Sequence, residues 1–311
     1  VKALVSRPWI GPLVALVLVY ALFSFSAPET FTGGVNLTTM LRQTAVVAIA
    51  SLGMTFVILL GGIDLSVGSA VALTSVVVAR ALQGGAGPLA AVALGVLTPA
   101  LAGVISGTLT ARAKITPFIV TLGSMSILRG AAKGLANEQK IDAEPRGLEQ
   151  LMAGSGAALP AGVWLALGLA AVSAVALHYT VFGRHVVAIG SNAHTARLCG
   201  VPVERVIISV YALCGAFTGV AGVLEFSTLT VGDPTDSLGL ELEAIAAVVI
   251  GGGSLAGGQG SIAGAMLGAL LMTVIKTGCT HVGLPNWVQE ILTGVIIVVA
   301  VGIDHWRRRS R

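Results

Sequence analysis

Long apolar runs, separated by short clusters of glycine, serine and charged residues, set the pattern of this 311-residue chain. A helix needs about 20 mostly apolar residues to cross about 30 Å of hydrocarbon. Ten segments approach that length: Ile10–Ala27, Thr44–Leu60, Leu65–Leu82, Leu89–Leu109, Thr116–Ala132, Ala161–Phe182, Val206–Phe226, Leu240–Gly251, Ser261–Thr277 and Trp287–Ile303. They predict an all-α polytopic membrane protein of about ten transmembrane helices, a single transmembrane domain over 1–311. The eighth segment is short and ends in glycine, so it reads as a broken or partly re-entrant helix. Eight spans plus two re-entrant pieces is the alternative count. The first run follows Lys2 and Arg7 but lacks a clear small-residue cleavage site, and so reads as a first span rather than a signal peptide.

Between the second and third runs stands GGIDLSVGS, Gly61 to Ser69. A related stretch follows the eighth run. FVILLGGIDLSVGSAV from Phe56 aligns without a gap on VVIGGGSLAGGQGSIA from Val248, so that Gly61, Gly68 and Ser69 fall on Gly253, Gly260 and Ser261. In both, an apolar helix enters a glycine-rich break and a second helix leaves it. Internal repeats with interrupted helices point to transport pathways. Asp64 lies where the second helix begins, where a carboxylate can accept backbone N–H groups and suits the positive end of the helix dipole. It reads as an N-cap and, compatibly, as part of a pathway or gate with Ser66, Ser69, Gly61, Gly62, Gly253 and Ser254.

Composition agrees with the pattern: 55% of residues are hydrophobic and 10% charged, with a mean hydropathy of +0.93, against about 25% charged in soluble domains. The 41 glycines suit helices that approach closely, and three spacings stand out: Gly103 with Gly107, Gly215 with Gly219, and Gly260-Gly264-Gly268. The formal charge of +4 sits in short loops and termini, which argues for membrane topology and against nucleic acid. With the N-terminus inside, eleven Lys and Arg fall inside and seven outside. Both termini are therefore expected in the cytoplasm, with a periplasmic loop over 134–160. Cys199, Cys214 and Cys279 form no paired motif, so neither a disulfide framework nor a metal site is implied.

No phosphate-cradling Gly-Lys motif, zinc-protease motif or nucleophile elbow occurs. A passage through the membrane fits better than an enzyme. Polar signal remains in two further places. The internal loop 183–205 contains SNAHTARL, with Asn192 as a cap, small residues and Arg197, and Pro202 closing it. It reads as a connector or as a docking element. The stretch TVGDPTDSLGLELEAIAAVVIGGG places Asp233, Asp236, Glu241 and Glu243 at an outer mouth, as a solvated rim or as contacts for a substrate or partner.

Five motifs in order, GGIDLSVGS, GRHVVAIGSNAHTARLCGVPVERV, TVGDPT, AAVVIGGGSLAGGQGSIAGAMLGALL and GLPNWVQEILTGVIIVVAVGID, resemble the permease subunit of bacterial carbohydrate-importing ABC transporters of the ribose, xylose, arabinose and galactose group. The likeness covers roughly residues 37–304. It implies a multi-pass permease of the bacterial cytoplasmic (inner) membrane, in contact with membrane lipid and paired with a second permease copy, identical or different. It also implies a cytoplasmic ABC ATPase that holds the ATP and magnesium, a periplasmic or lipoprotein sugar-binding protein, and a monosaccharide substrate. By the same resemblance this chain binds no cofactor, and Asn192, Ala193, Ala196, Arg197 and Gly200 belong to the segment that couples to the ATPase. A proton- or sodium-coupled secondary transporter is the alternative. It would keep ionisable groups within its spans, whereas Asp64, Glu225, Lys276 and Glu290 lie near predicted ends. A scaffold without transport would not need broken, repeated helices.

Overall fold

A computed structural model describes residues 9–153 and 159–309. In chain order its helices are α1 (Ile10–Ser26), α2 (Pro28–Phe31), α3 (Gly34–Leu59), α4 (Val67–Gln83), α5 (Pro88–Ala111), α6 (Pro117–Ala136), α7 (Ala161–Tyr179), α8 (Val181–Ser191), α9 (Ala193–Leu198), α10 (Val203–Leu229), α11 (Leu240–Ile250), α12 (Ile262–His281) and α13 (Asn286–Arg309). A 3-10 turn (Leu148–Leu151) and two short strands, β1 (Ile141–Asp142) and β2 (Val231–Gly232), complete the described elements. Each of the ten apolar segments carries one helix. Five of these, α3, α5, α7, α10 and α12, are long and apolar enough by themselves to cross a membrane, and α1, α4 and the apolar part of α13 are shorter. The eighth segment forms α11, whose 11 residues cover only about 16 Å at 1.5 Å per residue. Lys2, Arg7 and Arg311, which entered the charge count, lie outside the described residues.

One boundary differs clearly. Helix α3 begins at Gly34, not Thr44, because its polar first turns find partners. The Asn36 amide donates to Phe31 O at 2.6 Å and its Oδ1 lies 2.9 Å from His281 Nε2 on α12. From Thr44 to Leu59 every residue of α3 is buried, so this helix is the axis of the bundle.

Small residues set the closest approaches. The pairs Gly103/Gly107 and Gly215/Gly219 lie along one antiparallel contact between α5 and α10, the first pair against Ile208–Ala212 and the second against Val96–Ala100. A Cβ on Gly107 would stand 2.8 Å from Ile208 Cα, and one on Gly219 would stand 2.7 Å from Val96 Cα. Gly264 and Gly268 likewise meet Gly251 and Ala247 of α11. With no hydrophobic drive between helices in lipid, such packing supplies the attraction. Pro99, inside α5, cannot donate to Gly95 O. The hydroxyl of Thr74 on α4 takes its place at 3.2 Å.

The loop after α6 folds back on one end of the bundle. β1 pairs antiparallel with β2, Ile141 opposite Gly232. Basic side chains there bind carbonyl oxygens: Arg80 Nε to Leu135 O at 2.8 Å, Arg146 to Ala86 O at 2.9 Å, and Arg129 to Pro234 O and Asp236 O at 2.9 and 2.8 Å. Of these carbonyls, Leu135 O lies in the last turn of α6, where a cation also suits the helix dipole.

Candidate functional site

The opposite end carries both glycine breaks, and their local geometry is the same. Helix α3 ends with Gly61 N–H on Ile58 O at 2.8 Å and Gly62 N–H on Val57 O at 3.0 Å. Helix α11 ends with Gly252 N–H on Val249 O at 3.0 Å and Gly253 N–H on Val248 O at 2.8 Å. Gly61 (φ +79°) and Gly252 (φ +90°) are left-handed, as the Schellman C-cap requires. The repeat is therefore structural, but its register differs from the gapless alignment. Gly61 corresponds to Gly252, not Gly253. At the helices that follow, Ile262 corresponds to Val67, because the second break is longer. The ungapped comparison falls between these two shifts and matches neither.

The two breaks touch. Gly258 N–H donates to Leu59 O at 2.9 Å, and a Cβ on Gly61 would lie 3.5 Å from Ala256 O. The end of α8 is pressed into this meeting point. A Cβ on Gly190 would stand 2.7 Å from Gly258 N and would collide with Leu59 O, and one on Gly257 would stand 2.6 Å from Gly190 O. Three backbones thus converge where only glycine fits. Within the second break Ser254 N–H bonds Gln259 O and Gly257 N–H bonds Ser254 O, both at 2.9 Å. The Ser254 hydroxyl donates to Asp304 Oδ2 on α13 at 2.7 Å.

The predicted pathway residues divide into three groups. Gly61, Gly62, Gly253 and Ser254 lie in the paired breaks. Asp64 and Ser66 form a buried turn against α10: Asp64 Oδ1 accepts from Ser66 N–H at 2.9 Å and from its hydroxyl at 2.6 Å. Asp64 is not the N-cap of α4. Ser66 holds that position without a side-chain cap bond, because the Asp64 carboxylate is taken up by the turn before the helix, on the N–H and hydroxyl of Ser66. The fully buried Tyr211 hydroxyl has no hydrogen-bond partner among the described residues and stands where a side chain on Gly62 would be. Ser69 faces elsewhere, into a cleft of about 390 Å³ lined by Arg129, Lys133 and Glu241.

The loop 183–205 is helical, with a sharp corner between α8 and α9. Asn192 caps α9 by accepting Thr195 N–H at 2.9 Å. Gly200, at φ +82°, closes it, with Gly200 N–H on Arg197 O and Val201 N–H on Ala196 O. Ala196 is buried whereas Ala193, Arg197 and Gly200 are exposed. Arg197 pairs within the loop, 2.5 Å from Glu204. Leu198, which pattern reading passed over, is 76% exposed beside them.

At the strand-paired end, Lys140 bridges Asp233 at 3.0 Å. The Asp233 carboxyl lies below its ordinary range: burial opposes this, and the Thr235 hydroxyl and N–H with Lys140 outweigh it. Hydrogen bonding to Asp233 pushes the Lys140 ammonium up. Next to them residues 235–238, α3, α10, α11 and α12 line an open cavity of about 360 Å³ that includes Gln43, Glu225, Asp236, Glu243, Thr273 and Lys276. Sequence reading found the acidic residues of this rim but not Gln43 or Thr273, which come from distant helices. It also missed Gly190, Gly257, Gly258 and Asp304 at the junction, although the second Gly-Gly pair was a visible signal. Among the described residues no group of three or more His, Cys, Asp or Glu is placed to hold a metal ion.

Residues 36–301 match the family described as the branched-chain amino acid transport system / permease component. Similar curated proteins include the ribose import permease protein RbsC of Escherichia coli K12, 39% identical over 298 residues, 94% of this chain and 92% of that one. The L-arabinose ABC transporter permease protein AraH of Azospirillum brasilense is 34% identical, covering 97% and 88%. The fructose import permease protein FrcC of Rhizobium meliloti is 37% identical, covering 98% and 87%. No solved structure matches the chain. The chain belongs to this permease family: it is a multi-pass ABC transport permease and not itself an enzyme.

Proposed function

We propose that this permease imports a sugar across the bacterial inner membrane and couples that passage to a separate ATPase through α9. The observation that carries the coupling is the convergence of Gly190, Leu59 and Gly258. The end of α8 touches both breaks and is joined through Asn192 to the exposed helix α9. A push on α9 reaches two helix breaks at once. Alternating access needs rigid pieces with joints between them, and α3–α4 and α11–α12 are two such jointed pairs. The names of the three relatives above support a sugar as cargo.

In this reading α9 and both termini face the cytoplasm, the loop 134–160 faces the periplasm, and a binding protein delivers a monosaccharide there. ATP and magnesium belong to the ATPase. Two permease copies, alike or different, form the transporter. Asp64 and Ser66 keep the first joint in shape, Ser69 borders a cleft beside it, and Gly61, Gly62, Gly253 and Ser254 form the joints. Ala193, Arg197, Leu198 and Gly200 form the docking face, with Ala196 as its buried anchor.

The natural cysteines give a direct test. Cys199 is exposed on the docking face, whereas Cys214 and Cys279 are buried. An impermeant maleimide should label Cys199 in inside-out vesicles and not in intact cells, and bound ATPase should shield it. A cysteine at 147 should show the reverse sidedness. Labelling of Cys199 in intact cells, or no shielding by the ATPase, overturns the orientation or the docking role respectively.

The family description favours a second cargo, a branched-chain amino acid. Uptake of labelled leucine, uncompeted by ribose, arabinose or fructose, would select it.

A further inference from the structure

We infer that the cavity at the strand-paired end is a transit subsite for one neutral monosaccharide, and that it excludes sugar acids and sugar phosphates. This rests on the sugar-import reading. The cavity measures about 360 Å³, near the lower end of the range of small-molecule sites, roughly 300–1,000 Å³. That suits one sugar ring and not an oligosaccharide.

Its chemistry matches a polyol. Each sugar hydroxyl both donates and accepts, so a site for it must offer both functions. The carboxylates of Glu225, Asp236 and Glu243 accept. The Lys276 ammonium donates, and it keeps its place through a 2.8 Å bond to Glu243 Oε1. Gln43 supplies an amide that can do both, its Oε1 lying 3.4 Å from the Thr277 hydroxyl. Thr273 adds a hydroxyl to the wall. These groups come from α3, α10, α11, α12 and the segment before α11, and Arg129 ties that segment down by its carbonyls at Pro234 and Asp236. The site is thus assembled on fixed elements.

Lys276 is already paired with Glu243, which leaves the hydrogen-bonded acidic pair Glu225 and Asp236 with no cation of its own in the lining. An anionic sugar would meet like charge at this wall, whereas a neutral sugar meets only hydrogen-bonding groups. The lining contains no aromatic ring among the described residues, so the stacking surface that would hold a sugar tightly is missing. Such a site passes its ligand on.

The test uses Leu238→Cys as reporter. Leu238 lines the cavity, is 72% exposed and has no polar group to lose. It is placed in a background with the three natural cysteines replaced, in the complete transporter with ATPase and binding protein in proteoliposomes. N-ethylmaleimide labelling is timed with D-ribose, L-arabinose, D-fructose or D-galacturonate, and uptake of each is measured alongside. The sugar that is taken up should slow labelling about threefold at twice its dissociation constant, by simple occupancy, and galacturonate should not slow it. Gln43→Leu should abolish the protection while sugar-free labelling and ATPase binding stay unchanged. Protection by galacturonate equal to that by the neutral sugar overturns the charge selection. Uptake of a sugar that gives no protection overturns the subsite and leaves the importer reading standing. Uptake of none of the neutral sugars overturns that reading as well.

Discussion

At the junction, Gly258 N–H reaches Leu59 O and the backbone of Gly190 lies against both. At the other end of α4, Lys140 reaches Asp233, Lys276 reaches Glu243, and Arg129 reaches two carbonyls across water-accessible clefts. The first region is made of backbones in contact, with no side chain between them. The second is made of long side chains that can shift and be replaced by water. Backbone contact transmits displacement because it has no slack, and it tolerates no added atom. Side-chain contact adapts, which suits a mouth that admits cargo and meets a partner.

The largest expected effect is therefore at the junction. Gly190→Ala places a methyl group against Leu59 O and Gly258 N. Overpacking costs about 1–3 kcal/mol where the surroundings can yield, and here the obstacles are main chain. Uptake should fall by at least about tenfold while the permease remains in the membrane, and ATPase pull-down should persist because α9 is untouched. Normal uptake would show that the three backbones do not act together.

A smaller loss is expected from restricting the backbone at Gly200. Its surroundings are open, but its φ is +82°, and a non-glycine residue there costs roughly 1–2 kcal/mol. Gly200→Asn, which tolerates this region, should bind the ATPase nearly normally, Gly200→Ala less well, and Gly200→Trp not at all because it also bars the docking face. Equal ATPase binding by all three, in a pull-down with purified permease, would remove α9 from the coupling route.

For ATPase coupling, smaller again is the effect of Asp64, whose loss is read in stability. Asp64→Asn keeps an acceptor for Ser66 N–H, whereas Asp64→Leu leaves that buried group unpaired, at about 1–3 kcal/mol. Thermal stability in detergent should rank wild type, Asn, Leu. If both variants abolish uptake equally at normal membrane levels, a negative charge is required there and the turn is not its main role.

The smallest effect belongs to the strand-paired end. The lowered Asp233 carboxyl contributes stability above its unfolded value near pH 3.9, lost as pH falls through the still lower folded value. The raised Lys140 contributes below its unfolded value near 10.4, lost as pH rises past the folded one. The pair therefore stabilises between those limits, and salt screens it. Lys140→Ala should leave uptake unchanged and only reduce a slight acid sensitivity in a melting curve recorded from pH 6 to pH 3, because the Thr235 bonds to Asp233 remain. A large loss would make this end as rigid as the junction and remove the contrast between them.

Much of this molecule was legible from local sequence. Ten apolar runs became ten helices because burial in lipid is decided run by run. Gly61 ended a helix, and Asn192 began one, because caps are set by a few adjacent residues; α9 closed at Gly200 and not, as expected, at Pro202. The small-residue pairs announced close packing. Tertiary structure decided their partners: Gly103 and Gly107 meet the helix that carries Gly215 and Gly219, and Gly190 enters the junction of two breaks 191 residues apart at their left-handed glycines. A glycine exposes only backbone, and backbone carries no side-chain label by which a partner could be read from sequence. The register of the repeat was likewise set in three dimensions, since four extra residues in the second break are absorbed where chain meets chain. The cavity lining Gln43, Glu225, Glu243 and Lys276 comes from four helices. Only their arrangement in the bundle brings an amide, carboxylates and an ammonium to one place, because polar groups scattered along separate apolar runs have no common local signal.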